Sequence, residues 1–549
     1  MYEIEDSIAD SKEFKEIEKE EQNKEMQIIK FKRIYIVLGL IIILAFALRA
    51  YHINYPFLDH HQWKQSEVAF EAHNFYTVKY NIFYPLVTAH THLPGEKDRP
   101  WNEKPGLHYI EEIFPIVPFL AATLYFIFGE QPWVARIVII FFSIATIPYL
   151  YRLSRLYFNE RVSYIAALVY AIVPLSVFFG RAFQEESAMV FFSVAGLYYY
   201  HLWIEKEKRR DFWLGGCFIA LAILAKLNAL YLGLPMMYLL YKKHKWHFLK
   251  NKKVYAMLIL VLLPTVLWYA HTRANLYSES GISIVFGNTR SLQSLIKGDF
   301  ENVSFLHYPF YKNIVSEMYG VMLTPIGFVL FFFGLAFSFI KYKKEGLNFF
   351  HWWLISVIIS FLIISDQVQR HDYYKIILVP VAAVFIGYGL DRLYSFSLKV
   401  EEKSYKLGKI VYILMLVILY LSIKIYLPPL FMINTYIQSL GNAINQITSE
   451  DDLIITALYG DDPEVLYASG YRRGWGYWAG DLNPKALESM REMGAKYLVH
   501  LLPEYMQKDE NTTQYMVENY DVGKLGDYVF IFDLRQKRSE ARQKNESLN

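Results

Sequence analysis

Apolar residues in this chain are gathered into long blocks separated by short, strongly polar connections. Blocks long enough to cross about 30 Å of hydrocarbon lie near 34–51, 134–153, 162–180, 187–203, 212–226, 227–241, 254–270, 318–340, 351–366, 374–394 and 409–428. The pattern predicts a multi-spanning α-helical membrane protein with about eleven crossings. Another apolar stretch, 113–128, is read as a re-entrant or interfacial helix, because a crossing there would carry the basic turn at Arg152 to the opposite side. Past residue 430 the pattern changes to short β-rich runs at 453–458, 496–501 and 528–533, alternating with helical patterns at 484–494 and 504–519. These predict a small C-terminal α/β domain.

Composition sharpens this picture. The 549 residues are 54% hydrophobic and 17% aromatic, which fits a polytopic membrane domain with one soluble appendage better than a string of soluble domains. The net charge of +3 gives no nucleic-acid footprint. The single Cys217 excludes an intrachain disulfide framework and a Cys-rich metal site. Residues 1–33 are dense in Glu and Lys and predict a solvated cytoplasmic helix or tail. The first apolar block lacks a small-residue cleavage site and reads as an uncleaved anchor. The expected domains are thus the tail 1–33, a membrane domain 34–429 with an outer loop 52–133, an α/β domain 430–535 and a polar tail 536–549.

Lys and Arg collect at 30–33, 152–161, 206–210, 242–253, 341–344 and 392–409. Placing these on the cytoplasmic side sends every other connection, and the C-terminal domain, to the outer face of the plasma (inner) membrane. The polar clusters then converge on that face.

Four clusters carry candidate chemistry. Asp59-His60-His61-Gln62-Trp63-Lys64-Gln65 follows the first span; Asp59 is a helix N-cap, an organised carboxylate at the membrane surface, or both. Gly180 to Ser187 holds Arg181, Glu185 and Glu186 between two spans; helical spacing predicts an Arg181–Glu185 pair that leaves Glu186 facing the interior. Glu111-Glu112 opens the 113–128 helix, where a carboxylate suits the dipole. Gln369-Arg370-His371-Asp372-Tyr373-Tyr374-Lys375 supplies donors for a phosphate and aromatic rings for a sugar or lipid, or an ordinary interfacial belt. Lys226, between two apolar halves, is a snorkelling lysine or a phosphate contact.

The order of these motifs resembles the membrane glycosyltransferases of the C-type fold, in the branch with the aminoarabinose lipid A transferases and the dolichyl-phosphate-mannose protein mannosyltransferases. Asp59 with His61-Gln62-Trp63-Lys64-Gln65 matches the catalytic first-loop string, with Lys64 where Arg is common. Glu112 stands one position away from the Glu-Phe-Pro pattern, while Glu103-Lys104-Pro105 is a literal match to the Glu-Lys-Pro form. Arg181 and Glu186 have the spacing of an Arg…Asp pair, and His371-x-Tyr373-Tyr374 fits a late-span string.

The resemblance implies transfer of a sugar from a polyprenyl-phosphate donor to a lipid, glycan or protein acceptor. It implies Asp59, Glu186 and Glu112 as catalytic residues, and Lys226, Arg370, His371, Tyr373 and Tyr374 at the donor phosphate. His61, Gln62, Trp63, Lys64, Lys104 and Arg181 are supporting. His60, His61, His90 and His92 include two compact pairs able to bind Zn²⁺; metal and other cofactors are left unassigned. The competing class is a lipid-linked-sugar transporter or flippase, which would place charge near the bilayer midplane and often shows two related halves.

Overall fold

The computed structural model describes residues 33–88, 105–109, 113–275, 290–342, 347–400, 410–458, 463–478, 480, 482–501, 510–525 and 528–540. Glu103, Lys104, Glu111, Glu112, His90 and His92 lie outside them, as do both terminal tails apart from Arg33 and residues 536–540.

Six helices among the described residues are long and apolar enough to cross a membrane: Arg33–Ala50 (α1), Pro132–Arg155, Glu186–Lys206, Lys252–Ala274, Asp372–Phe396 and Ile410–Ile447. Other apolar blocks are broken or shorter. The block at 162–180 is two helices, Glu160–Ile172 and Pro174–Phe179. Pro174 cannot donate the next backbone hydrogen bond, and Val173 before it is extended, with ψ 141°. The block at 318–340 bends by 113° between Tyr308–Met322 and Thr324–Ile340, where Thr324 takes a left-handed φ of 65°. The stretch expected to be interfacial forms the 13-residue helix Ile116–Phe128, far shorter than a spanning helix.

In chain order, the helices that frame the site are α1, α2 (Gln62–Thr77), α3 (Ile116–Phe128), α4 (Pro132–Arg155), α5 (Glu160–Ile172), α6 (Pro174–Phe179), α7 (Glu186–Lys206) and α8 (Arg209–Ala225). Local chemistry sets their ends. Asn159 caps α5 by accepting the Val162 N–H, and Pro132 occupies the first position of α4, where a missing N–H costs nothing. α7 is buried nearly all round, as a helix apolar on every face must be. It packs against α4 and α8.

The C-terminal unit is a five-stranded sheet in the order β4-β3-β5-β7-β6, with β3 Leu453–Leu458, β4 Gly474–Trp478, β5 Ala495–Leu501, β6 Asp521–Lys524 and β7 Val529–Asp533; β1 and β2 are the short pair Leu86–Val87 and His108–Tyr109. β3 pairs in parallel with β4 and β5, while β7 is antiparallel to β5 and β6. All six residues of β3 are buried, as expected of a central strand covered on both faces. One face packs Ile455, Trp475 and Leu498 with Leu487 and Met516. The other packs Ile454 and Val499 with Leu440, Val465, Phe70 and Val87. Two of those residues belong to α2 and β1, so the sheet is seated on the loop that carries Asp59. Gly474 permits this arrangement: a Cβ there would lie 1.7 Å from the Ile454 carbonyl oxygen.

Candidate functional site

Asp59 lies in the turn between α1 and α2, which is fixed from two directions. The Asn434 N–H donates to the Leu58 carbonyl at 2.8 Å and the His60 N–H to the Leu430 carbonyl at 3.2 Å. The Phe57 N–H donates to the Tyr467 hydroxyl at 3.1 Å. His61 ends the turn with φ 58° and ψ 37°, a left-handed conformation uncommon for a residue with a side chain.

The Asp59 side chain is sealed from solvent, as are those of Arg136 and Arg181. Its Oδ1 accepts from Gln65 Nε2 at 2.5 Å. Its Oδ2 accepts from Arg181 at 3.2 Å and lies 3.6 Å from Arg136. The guanidiniums are themselves held by backbone carbonyls: Arg136 donates to those of Arg181, Tyr55 and Pro56, and Arg181 to that of His52. Gln65 Oε1 takes the Phe183 N–H at 3.0 Å. Two buried cations thus share one carboxylate, and the backbone oxygens around them supply the remaining stabilisation.

Asp372 stands beside this clamp. Its Oδ2 is 2.9 Å from His60 Nε2 and its Oδ1 is 2.6 Å from His61 Nε2. Burial opposes charge on the His60 imidazole, but the hydrogen bond and negative charge of Asp372, with Asp59 and Glu317 beyond, leave its pKa raised. The His61 ring meets that of Tyr373 edge-on at 4.9 Å, and His371 stacks on Tyr373 with centroids 5.0 Å apart. Burial, together with the positive charges of His61, Lys226 and Arg370, pushes His371 down to about 4.

Lys226 completes the cluster. Its Nζ pairs with Glu186 Oε1 and sits over the rings of Tyr373 and Tyr374, at 4.2 and 4.7 Å from their centroids. α8 ends just before Lys226, whose extended backbone turns the side chain toward the start of α7. Glu185 is buried next to this pair, with no hydrogen-bond partner for its Oε2. Burial raises its carboxyl pKa, an effect that Lys64 opposes and Glu186 reinforces.

His61, Glu186, Lys226, His371, Tyr373 and Tyr374 are therefore joined through direct contacts. Asp59, two residues before His61, pairs with Arg181, and Lys64 is close enough to act on Glu185. Two expectations need correction. Arg181 pairs with Asp59 rather than Glu185, and Glu186 is engaged by Lys226 rather than free. The reason is local: α7 starts at Glu186, so residues 181–185 are not helical and the i,i+4 geometry does not exist there. Gln62 points to the C-terminal unit and donates to Glu464 at 3.1 Å, Lys64 pairs with Glu67 at 2.6 Å, and Trp63 and Arg370 are exposed.

Sequence reasoning missed Arg136 and the parts played by Gln65, Glu185 and Asp372. Arg136 had a signal: an arginine inside the apolar block of α4 is costly unless it is paired. Gln65 stood in the first-loop string, but its link to the Phe183 N–H, 118 positions away, left no trace in the sequence.

Residues 104–269 match the sequence profile of the family described as dolichyl-phosphate-mannose-protein mannosyltransferase. No curated protein matches the chain in sequence. Among solved structures, ArnT from Cupriavidus metallidurans is similar over 92% of this chain and 98% of its own, with a TM-score of 0.57 at 12% identity. The Archaeoglobus fulgidus oligosaccharyltransferase, solved with Zn and sulfate, is similar over 90% of this chain and 72% of its own, with a TM-score of 0.56 at 14% identity. The fold is that of the C-type membrane glycosyltransferases. ArnT has also been solved bound to undecaprenyl phosphate, with a TM-score of 0.56 at 12% identity over 92% of this chain and 98% of its own. Within the C-type fold, the clustered side chains of this chain lie where α1, α4, α7 and α8 begin or end, beside the C-terminal sheet.

Proposed function

We propose that the chain is a glycosyltransferase that moves a hexosyl or pentosyl unit from a polyprenyl-phosphate donor to a lipid, glycan or protein acceptor at the outer face of the plasma membrane. The observation that carries this reading is the set of charged side chains, Asp59, Arg136, Arg181, Glu185, Glu186 and Lys226, buried together at one end of a helical membrane domain. Buried charge is retained at such cost where polar chemistry needs it, and a polyprenyl tail explains the apolar domain, since a long isoprenoid leaves the bilayer only at great cost.

In the proposed reaction an acceptor hydroxyl oxygen attacks the anomeric carbon. The bond from that carbon to the phosphate oxygen breaks, and polyprenyl phosphate leaves with the electron pair, inverting the anomeric centre. Asp59 takes the hydroxyl proton. Its Oδ1 is the oxygen that can do so: Oδ2 faces two guanidiniums, whereas Oδ1 holds a neutral amide hydrogen from Gln65. Exchanging one neutral donor for another costs little. Lys226 and the neutral imidazole of His371, with the rings of Tyr373 and Tyr374, receive the donor phosphate, and the Lys226 charge stabilises the departing anion. Arg370, exposed nearby, meets the donor at the entrance, and Glu112 and Lys104 belong to the outer loop 52–133.

A second reading of the base rests on Glu185, whose Oε2 is unpartnered and whose pKa is raised by burial. A carboxylate tuned upward is a stronger base than one held between arginines. Both readings share one assay: incorporation of sugar from purified polyprenyl-phosphate donor into acceptor by the full chain in bilayers. Movement of the intact lipid without cleavage of its sugar–phosphate bond would establish the transporter class instead.

A further inference from the structure

We propose that His60, His61 and Asp372 form a binding site for one divalent transition-metal cation, with Zn²⁺ the ion their chemistry suits best. The backbone brings these groups together. Consecutive side chains in ordinary extended or helical chain diverge. Here the left-handed φ of 58° at His61 turns the chain so that both imidazoles face one side, with ring centroids 4.1 Å apart. Both Nε2 atoms then aim at the same carboxylate, one at each oxygen. The three ligand groups lie within 4.8 Å of one another and are the one such group of His, Cys, Asp or Glu among the described residues.

Two imidazoles and a carboxylate are a donor set that Zn²⁺ takes in open sites, leaving one tetrahedral position for an outside ligand. With metal–ligand distances near 2.0–2.1 Å, tetrahedral donors stand about 3.3 Å apart. The present N···O separations of 2.6 and 2.9 Å therefore need to widen by about 0.4–0.7 Å, within reach of small rotations of the imidazole side chains. The site is accessible as well as formed: side-chain exposure is 34% at His60, 16% at His61 and 11% at Asp372.

Asp372 is the carboxylate in contact with both imidazoles, and Asp59 and Glu317 act on His60 from farther away as negative charges. Of the cationic side chains around it, Lys375 pairs with Glu317 at 2.6 Å, Arg136 and Arg181 share Asp59, Lys226 pairs with Glu186 and Arg370 is exposed. The first ligand pair comes from the α1–α2 turn and the third from the segment before the helix Leu378–Val400, so a bound ion would cross-link the two ends of the membrane domain's sequence at the site. This follows from the coordination geometry and does not depend on the transfer reaction.

The test uses the full chain in lipid nanodiscs, stripped with chelator and assayed without donor or acceptor. Equilibrium dialysis against Zn²⁺ followed by elemental analysis is expected to return one equivalent per chain. Co²⁺ in its place is expected to give visible d–d bands of a four-coordinate site. Asp372→Asn and the double variant His60→Gln, His61→Gln are each expected to lose the equivalent and the bands, while Glu205→Gln keeps both. Size-exclusion profiles and helical circular dichroism separate loss of ligands from loss of fold. If a variant does not fold, the wild-type protein still decides: four-coordinate Co²⁺ bands and a melting temperature raised by Zn²⁺ are expected, and the absence of both overturns the proposal. No stoichiometric metal in the wild-type protein overturns the proposal, and so does an equivalent retained by both folded variants.

Discussion

The hydroxyl of Tyr467 accepts the backbone N–H of Phe57 at 3.1 Å, so the C-terminal unit is fastened to the chain two residues before Asp59. The contact is one of several on the same surface. Tyr471 stacks on His73 with centroids 4.2 Å apart, and the His73 imidazole lies 3.0 Å from Glu130. Tyr467→Phe leaves the Phe57 N–H buried without a partner, a loss of about 1–3 kcal/mol. Thermal unfolding of the variant is expected to show that loss, and sugar transfer to fall with it because the Asp59 turn is released. A variant with wild-type melting and turnover would show that the sheet is seated independently of the site.

The clamp on Asp59 makes a second expectation quantitative. Asp59→Asn keeps the side-chain volume but leaves Arg136 and Arg181 facing a neutral amide, and breaking a buried ion pair from one side costs about 3–5 kcal/mol. Loss of the base itself slows proton transfer by about 10²- to 10⁴-fold. Transfer is therefore expected to collapse in protein that also melts at lower temperature. The double variant Asp59→Asn, Arg181→Gln is expected to recover part of the stability and none of the activity, since coupled residues do not add. Recovery of turnover in the double variant would remove Asp59 from the chemistry.

Much of this arrangement was legible before the coordinates. Hydrophobic blocks marked the helices because a bilayer demands length and apolarity together, and strands β3, β5 and β7 stood out as β-branched runs. What the sequence hid was of two kinds. Gly474-Trp475-Gly476-Tyr477-Trp478 is strand β4 despite two glycines, because close contact with β3 at Gly474 outweighs local propensity. The Asp59–Arg181 and His60–Asp372 contacts join residues 122 and 312 positions apart, which no periodicity reports. Helical phase even misled at Arg181, where the chain is not a helix.

Glu185 is buried with one oxygen unsatisfied, and its pKa is raised above that of the unfolded chain. For an acid with a raised folded pKa, the unfolded state loses its proton first as pH rises. Stability therefore falls from the ordinary glutamate value of about 4.3 upward, and the full cost is present once pH exceeds the raised value. Glu185→Gln is expected to melt higher than wild type at neutral pH and to lose that advantage below the ordinary glutamate pKa. Melting curves across this range check the sign. Reduced transfer in the more stable variant would mark Glu185 as a functional group kept at the expense of stability.

Glu186 and Glu205 lie on the same helix, α7, in opposite settings. Glu186 is buried against Lys226; Glu205 is 47% exposed and 3.8 Å from Lys243. Removing the first partner strands a buried lysine, whereas an exposed pair contributes about 0–1 kcal/mol. Glu186→Gln is expected to impair both folding stability and transfer, with Glu205→Gln close to wild type in each. Equal effects from the two substitutions in melting and transfer assays would deny the Glu186–Lys226 pair its special place.

Sidedness gives the remaining prediction. The proposed orientation puts the basic connections at 152–161, 206–210 and 242–253 in the cytoplasm. α7 then carries the chain from the site at Glu186 to Lys206 on the cytoplasmic side, over 21 residues and about 30 Å at 1.5 Å per residue. In that orientation the α1–α2 turn and the C-terminal sheet, which both adjoin the site, belong to the other face. Single cysteines at exposed Asn302 and Asp451, introduced in a Cys217→Ser background, are expected to react with a membrane-impermeant maleimide in intact cells. One at exposed Lys208 is expected to react after permeabilisation only. Labelling of Lys208→Cys from outside, or protection of Asp451→Cys while Asn302→Cys reacts, would break the shared face on which the proposed reaction depends.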